Sequence, residues 1–376
     1  MFLDKLSLSD FRNYKETKID FSDEVNLVYG LNAQGKTNLL EAIYLSCLGR
    51  SFRGAKNQEL LKTHASSFTV EAAFRQDNDL TKNVVIHYIR NGKKEISVNR
   101  KRLQSKSRIF GRFPVVVMSP EDYKITSGGP SERRRFLDIL LSQVSISYLT
   151  SLQEFTRILK QRNKILQSIR EGVRVSHSAL EPWTHSLIRS GTQIILKRIE
   201  FLQEFLQHLN PIYQEYSLSK DHLEMSLESV SATPDSVTID EEFNLAVQRV
   251  NEKEKRLGLT LIGPHRDDIA IRINGKDLRK FGSRGEHKSV LIAMKITEFN
   301  YLNTKKEETP IFLLDDYYSE LDDLREKKVF ASLYNLGQIF LTSPKEKIFR
   351  EHSEAIKKIG EVSTYRIENG TIHACA

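Results

Sequence analysis

Gly30-Leu31-Asn32-Ala33-Gln34-Gly35-Lys36-Thr37 is the segment on which the fold class of this chain turns. An apolar run, Val25 to Tyr29, precedes it, and Leu39, Leu40, Ile43 and Leu48 follow at helical spacing. Strand, glycine-bounded loop and helix in that order form a P-loop arrangement. Glycines let the backbone turn tightly enough for its N–H groups to face phosphate oxygens, and the helix adds the positive end of its dipole. Gly30, Leu31, Asn32, Ala33, Gln34, Gly35 and Asn38 would then surround a nucleotide. Lys36 would reach the β- and γ-phosphates and Thr37 would offer its hydroxyl to Mg2+, so ATP and Mg2+ are the expected cofactors.

A phosphate loop needs a partner acid elsewhere. Ile311-Phe312-Leu313-Leu314 is a short continuous apolar run, the pattern of a buried strand, and it ends in Asp315-Asp316. In this Walker B pattern the first carboxylate, Asp315, is expected on the metal side, and Asp316 is the candidate base that positions or deprotonates water. Asp316 and Lys36 are therefore the expected catalytic pair.

Between these halves the texture changes twice. Leu6 and Leu8, Phe68 to Phe74, Val84 to Ile89, Glu95 to Val98 and Val115 to Met118 read as strands, with Asn91-Gly92 as a hairpin turn. From about residue 130, Phe136, Ile139, Leu140, Leu152, Phe155, Leu159, Leu166 and Ile169 recur at helical spacing. A second helical stretch runs from Ile188 to Leu209 and is expected to stop at Asn210-Pro211. Strands are expected at Leu259 to Ile262, Ile269 to Ile273 and Ile339 to Leu341, with a helix through Val290, Leu291, Met294 and Ile296. The final buried strands need an existing sheet to join, so the pattern predicts one α/β domain with a helical insertion.

The long separation of Lys36 from Asp315 resembles the ATP-binding-cassette ATPases, above all the chromosome-maintenance branch whose heads are split by helical inserts. The fold class expected is α/β: an ABC-type P-loop ATPase head with a helical second lobe inserted between Walker A and Walker B. Lobe I would take residues 1–128, the helical lobe 129–258, and the signature motif, Walker B and return to lobe I 259–376. Ser283-Arg284-Gly285-Glu286-His287 looks like the signature motif, in which Ser283 and Gly285 would face the γ-phosphate held by a second subunit. Tyr317 to Asp322 resembles the D-loop of such an interface. Glu286 departs from the usual glutamine, and a carboxylate there would repel a partner's γ-phosphate unless it turned away. Thr342-Ser343-Pro344 lacks the histidine of many transporter ATPases, which favours switching over fast turnover.

Further blocks narrow the resemblance to the RecF family: Phe11-Arg12-Asn13-Tyr14, the P-loop with Asn38, Ser119-Pro120-Glu121-Asp122, Ser131 to Asp138, Gly263 to Asp268 and Leu314 to Asp322. That resemblance implies a bacterial cytoplasmic protein with weak DNA-stimulated ATPase activity that dimerises on ATP. It implies binding to duplex DNA near single-strand gaps and help to RecR and RecO in loading RecA. It also implies that Arg12 and Asn13 approach the nucleotide. An ATPase subunit of a transporter or other ABC-type assembly is the alternative; against a transporter stand the missing histidine, the lack of a glycine-rich signature and the absence of a compact helical subdomain.

Composition agrees with a basic, reducing-compartment protein. Lys and Arg outnumber Asp and Glu by 57 to 49, there are only two cysteines, and no apolar run approaches the roughly 20 residues that span a bilayer. Asp4 stands where a signal peptide would carry positive charge, so no membrane partner is expected. Candidate DNA-phosphate contacts are Arg100, Lys101 and Arg102, and Arg133, Arg134 and Arg135, with Lys93-Lys94, Lys106, Arg108 and Lys160 to Lys164 as further basic clusters. No helix-turn-helix or zinc-finger pattern accompanies them, so recognition would be independent of sequence.

Overall fold

The computed structural model describes residues 1–173, 176, 179–217, 221–316, 328, 333, 336–344 and 361–375. The D-loop candidate Tyr317 to Asp322 lies outside them. The chain divides into two compact units, Met1–Tyr123 with Leu291–Ala376, and Lys124–Val290.

The first unit begins with β1 (Phe2–Phe11), β2 (Tyr14–Asp20), β3 (Val25–Tyr29) and helix α1 (Lys36–Leu48). There follow β4 (Ser67–Arg75), β5 (Thr81–Ile89), β6 (Lys94–Val98), β7 (Lys101–Arg102) and β8 (Val115–Met118). The short helix α2 (Tyr123–Ser127) starts at the division.

In the second unit are α3 (Pro130–Val144), α4 (Ile146–Arg170), α5 (Glu181–Tyr216), β9 (Leu223–Glu228), α6 (Ser236–Leu257), β10 (Asp268–Ile273), β11 (Lys276–Asp277) and α7 (Leu278–Phe281). Helix α8 (Arg284–Lys305) crosses the division, and β12 (Ile311–Leu314), β13 (Ile339–Ser343), β14 (Val362–Glu368) and β15 (Thr371–Cys375) complete the first unit.

Two six-stranded sheets build the first unit. One is antiparallel, in the order β2-β1-β4-β5-β6-β7, and its strands alternate buried and exposed residues as a sheet with one wet face must. The other runs β15-β14-β3-β13-β12-β8, parallel except for β15. Its strands β8, β12 and β13 are buried at every position, which explains the continuous apolar runs Val115 to Met118, Ile311 to Leu314 and Ile339 to Leu341. Because these strands are parallel, the carboxyl ends of β3, β12 and β13 converge at one edge, where ligands of open α/β sheets sit.

The second unit is helical with a three-stranded sheet, β11-β10-β9. That sheet corrects the expected boundary at 259. β10 pairs with β9 over Asp268 to Ile273 and does not join the core sheet, so residues 259–290 cluster with the helices. The strand expected at Leu259 to Ile262 does not form. Its donors are taken locally, Thr260 N–H by Asn163 Oδ1 at 2.8 Å and Leu261 N–H by Glu254 Oε1 at 2.7 Å.

Helix α5 also overruns its expected stop. Pro211 sits inside it, and buried Tyr213 and Tyr216 hold the last turn down. Asn210 uses its amide to grip both backbone groups of Leu223, at 2.9 and 3.0 Å, so the helix end is tied to β9. A proline costs a helix about 3 kcal/mol; burying two tyrosines and making this clasp offset it.

Candidate nucleotide site

The loop Gly30 to Gly35 leaves β3 and enters α1 with backbone that side chains resist. Gly35 has φ 124°, and a Cβ there would lie 2.6 Å from Asn13 Nδ2 and 2.9 Å from the Tyr14 hydroxyl. Gly30, at φ 156°, has its would-be Cβ against the Ile367 carbonyl of β14. The two glycines are thus required by close packing on both sides of the loop.

Lys36 is buried, with Nζ donating to the carbonyls of Gly30 (2.9 Å) and Leu31 (3.3 Å). The same nitrogen lies 3.6 Å from Asp316 Oδ2. Thr37 Oγ1 donates to Asp315 Oδ1 at 3.0 Å, so the P-loop threonine and the Walker B carboxylate, 278 positions apart, are in direct contact. All four residues meet at the carboxyl edge of the parallel sheet.

Thr342, at the end of β13, is a member the sequence reading passed over. Its hydroxyl donates to Asp315 Oδ1 at 2.9 Å and accepts the Asp316 N–H at 2.9 Å. Its signal was positional: a hydroxyl one residue after an apolar strand whose carboxyl end had to lie beside that of Ile311 to Leu314. Asp316 itself has φ 41°, a left-handed backbone that a non-glycine residue avoids unless held, and the Thr342 hydroxyl is what holds it.

Burial pushes the Asp315 carboxyl up to about 6, helped by neighbouring Asp316 and Glu121 and opposed by the two threonine hydroxyls. A half-satisfied, buried carboxylate next to a hydroxyl is a hard-oxygen pair of the kind that suits Mg2+.

Arg12 and Asn13 frame the loop. The Arg12 guanidinium is bidentate to buried Glu41 of α1, at 2.7 and 2.9 Å, and reaches the Glu59 carbonyl at 2.7 Å. Its charge is thus committed to anchoring α1. Asn13 donates to the Gln34 carbonyl at 2.6 Å and accepts from Asn38 Nδ2 at 2.8 Å, and the Asn369 N–H of the β14–β15 turn bonds Gln34 Oε1 at 2.5 Å. Ala33 takes φ 65°, while Leu31 at the loop tip is 74% exposed and Asn32 is also exposed.

Ser283 and Gly285 open α8 in the second unit. The serine and Glu286 form a capping box: Glu286 Oε2 accepts the Ser283 N–H at 2.6 Å, and Ser283 Oγ accepts the Glu286 N–H at 3.2 Å. Glu286 therefore folds back onto its own helix start, which answers how a carboxylate is accommodated at this position.

Several expected DNA contacts are consumed internally. Arg133 is buried, bidentate to Asp268 at 2.7 and 2.9 Å and bonded to the Gly128 carbonyl, and Arg134 donates to the Asp267 carbonyl at 2.6 Å. Arg135 is half-buried on the same helix. Lys94 is buried on the Gly49 carbonyl that ends α1, and Arg162 is sealed against Glu254. A charge run on an amphipathic helix puts some of its members on the inner face, as with Arg133 and Arg162, while Lys94 falls on the buried side of the alternating strand β6. Arg100, Lys101 and Arg102 stay exposed at the β7 edge, with Arg102 facing Glu95 at 2.6 Å. Arg198, unmarked in the sequence reading, is the hub of the second unit: it binds Asp138 (2.8 Å), Asp267 (3.0 Å), the Pro264 carbonyl (2.7 Å) and the Tyr148 hydroxyl (3.1 Å). The blocks Ser131 to Asp138 and Gly263 to Asp268 are thereby explained as one buried polar network.

Comparison with known proteins agrees with this architecture. Residues 2–366 match the model of the RecF/RecN/SMC N terminal domain. The DNA replication and repair protein RecF of Chloroherpeton thalassium is 38% identical over 361 residues, covering 93% of this chain and 97% of that protein. The protein of the same name from Ligilactobacillus salivarius is 34% identical over 99% of this chain and 97% of its own. A solved structure described as the recombination mediator protein RecF with ATP in the RecFOR pathway superposes with TM-score 0.91 at 33% identity, covering 100% of this chain and 98% of that one. An Smc head bound to a ScpA domain, at TM-score 0.55 and 15% identity, shares the fold alone. No described helix is long and apolar enough to cross a membrane. With the P-loop, its distant carboxylates and the inserted helical unit in place, this chain belongs to the RecF family of ABC-type ATPases.

Proposed function

We propose that this chain is an ATP-gated DNA clamp: it binds ATP, dimerises around it, holds duplex DNA near single-strand gaps and hydrolyses the nucleotide slowly to release. The observation that carries this reading is the contact of Thr37 with Asp315 beside Lys36 and Asp316. The relatives' description as DNA replication and repair proteins, and the neighbour's as a recombination mediator with ATP, support it.

In this reading the Gly30 to Asn38 backbone cradles the phosphates and Lys36 exchanges its loop carbonyls for β- and γ-phosphate oxygens. Thr37 and Asp315 would hold Mg2+, which would supply neutralisation of the charge that develops on the phosphates. Asp316 orients a water and takes its proton as the water oxygen bonds to the γ-phosphorus and the bond from that phosphorus to the ADP oxygen breaks, yielding ADP and phosphate. Arg12 and Asn13 support this cradle from behind. Ser283 and Gly285 of a second copy close over the γ-phosphate, so nucleotide is the glue of a homodimer. RecR and RecO are the partners and RecA loading in the cytoplasm the outcome, a reading supported by the solved neighbour's description as a recombination mediator in the RecFOR pathway. The exposed cations Arg100, Lys101 and Arg102 remain candidate backbone contacts.

Analytical ultracentrifugation with and without Mg2+-ATP and a gapped duplex tests the reading. Dimers that need ATP, that DNA tightens, that Asp316→Asn prolongs and that Ser283→Arg abolishes are expected. A monomer under every condition, or dimers indifferent to Ser283→Arg, would overturn it.

A further inference from the structure

The second unit contains a hollow of about 520 Å3 beside the β9–β10–β11 sheet. Five cations line it, Arg133, Arg272, Lys276, Arg279 and Lys280, against the carboxylates of Glu228, Asp268 and Asp277, leaving a net charge of +2. Each carboxylate already has a task. Asp268 takes Arg133, Glu228 faces Arg272 at 3.3 Å, and Asp277 accepts the Lys280 N–H at 2.9 Å as the cap of α7. The side chains of Lys276, Arg279 and Lys280 are exposed, and none makes a hydrogen bond or ion pair with another of the described residues. The next residue, Phe281, also lines the hollow and is 72% exposed.

We propose that this hollow seats unpaired nucleotides of single-stranded nucleic acid, with phosphates on Lys276, Arg279 and Lys280 and a base stacked on Phe281. The inference rests on the nucleic-acid reading above and names the surface that serves it. Exposed cations beside one exposed aromatic ring are what a sequence-independent single strand requires, charge for the backbone and a flat apolar face for any base. The volume lies in the range of small-ligand sites, about 300–1,000 Å3, which admits an unstacked nucleotide and not a stiff duplex. An acidic polypeptide would satisfy the cations yet leave the phenyl ring in water. Phe281 stands two residues before Ser283, so a strand held here touches the segment that leads into α8. Occupancy of this hollow and closure of the nucleotide site are thereby adjacent events in one stretch of chain.

The test is fluorescence anisotropy of a labelled oligothymidylate with the full chain, without ATP, across a salt series. Phe281→Ala and the triple variant Lys276→Gln/Arg279→Gln/Lys280→Gln are compared with wild type, and circular-dichroism melts confirm that each folds. Phe281→Ala should weaken binding at least about fivefold with an unchanged salt slope, since stacking is not ionic. The triple variant should lower the slope by about 2, at roughly 0.7 for each phosphate contact on a single strand. Binding unchanged in both variants overturns the site, as does a loss in the triple variant alone, which would make this only a charged face. Competition by oligoglutamate as effective as by unlabelled oligothymidylate would assign the hollow to an acidic peptide instead. A wild-type chain that binds no oligothymidylate, or binding indifferent to both variants, would sink this site alone; the clamp reading falls only if the wild type also fails to bind a gapped duplex with Mg2+-ATP.

Discussion

Replacing Asp315 by asparagine should stabilise the metal-free protein, and the effect should depend on pH. The folded-state carboxyl titrates at about 6 against an ordinary 3.8, because it is buried beside Asp316 and Glu121. A folded pKa above the unfolded one means that the native state prefers the proton. The cost of the ionised form is therefore full above pH 6 and is relieved as pH falls from 6 towards 3.8. At 1.36 kcal/mol per pH unit, the cost at pH 8 is about 3 kcal/mol, falling to roughly half at pH 5. The asparagine side chain keeps an oxygen for the Thr37 and Thr342 hydroxyls but carries no charge to bury. Thermal melts in chelator should put Asp315→Asn above wild type by roughly 4–7 °C at pH 8 and by about half as much at pH 5. Other titrating groups shift both proteins alike, so the difference between them is the readout. Adding Mg2+-ATP should stabilise wild type and leave the variant nearly unmoved. A variant that melts at or below wild type at pH 8, or a difference independent of pH, would refute the reasoning.

Three further outcomes follow from the geometry. Glu286→Gln keeps the capping box but removes a negative charge beside the proposed γ-phosphate seat, so ATP-dependent dimers should tighten roughly fivefold, about 1 kcal/mol, in sedimentation equilibrium. Arg198→Met strips the shared counter-ion from Asp138 and Asp267 and should cost about 3–5 kcal/mol in urea unfolding, part of which Asp267→Asn in the same chain restores. Gly35→Ala places a Cβ into Asn13 and Tyr14 at positive φ, and should abolish nucleotide binding measured by calorimetry while lowering stability by about 1–3 kcal/mol.

The site was more legible than the scaffold around it. Phosphate chemistry restricts its residues tightly, so glycine spacing, Lys36-Thr37 and the paired acids at the end of Ile311 to Leu314 could be recognised without a structure. The burial of β3, β12 and β13 in one sheet followed from their unbroken apolar runs. Strand β9 and helix α6 escaped notice because their apolar residues are sparse: α6 buries only Ile239, Phe243, Val247 and Glu254 among charged neighbours. Glu254, in phase with that stripe, pairs with Arg162, and Arg198 lies in phase with Ile194, Ile195 and Leu202. A charged residue on an apolar stripe is the sequence trace of a buried ion pair, but its partner is set by tertiary packing alone. The basic clusters misled for the same reason, since a run such as Arg133 to Arg135 looks identical whether its members face solvent or Asp268. Strands β14 and β15 were hidden by polar alternation at a sheet edge.

The place of β3 in its sheet has a bearing on synthesis. It carries the P-loop, yet the strands on either side, β13 and β14, begin at Ile339 and Val362. On the ribosome, Val25 to Tyr29 emerges long before its neighbours and waits with both hydrogen-bonding edges open, an adhesive apolar strand that a chaperone or the antiparallel sheet must shield. The loop after it cannot settle until the Ser343 carbonyl meets the Gly30 N–H and Asn369 reaches Gln34. Nucleotide affinity in this chain is thus a late-arriving property, one that certifies that β13 and β14 have been made and have found β3.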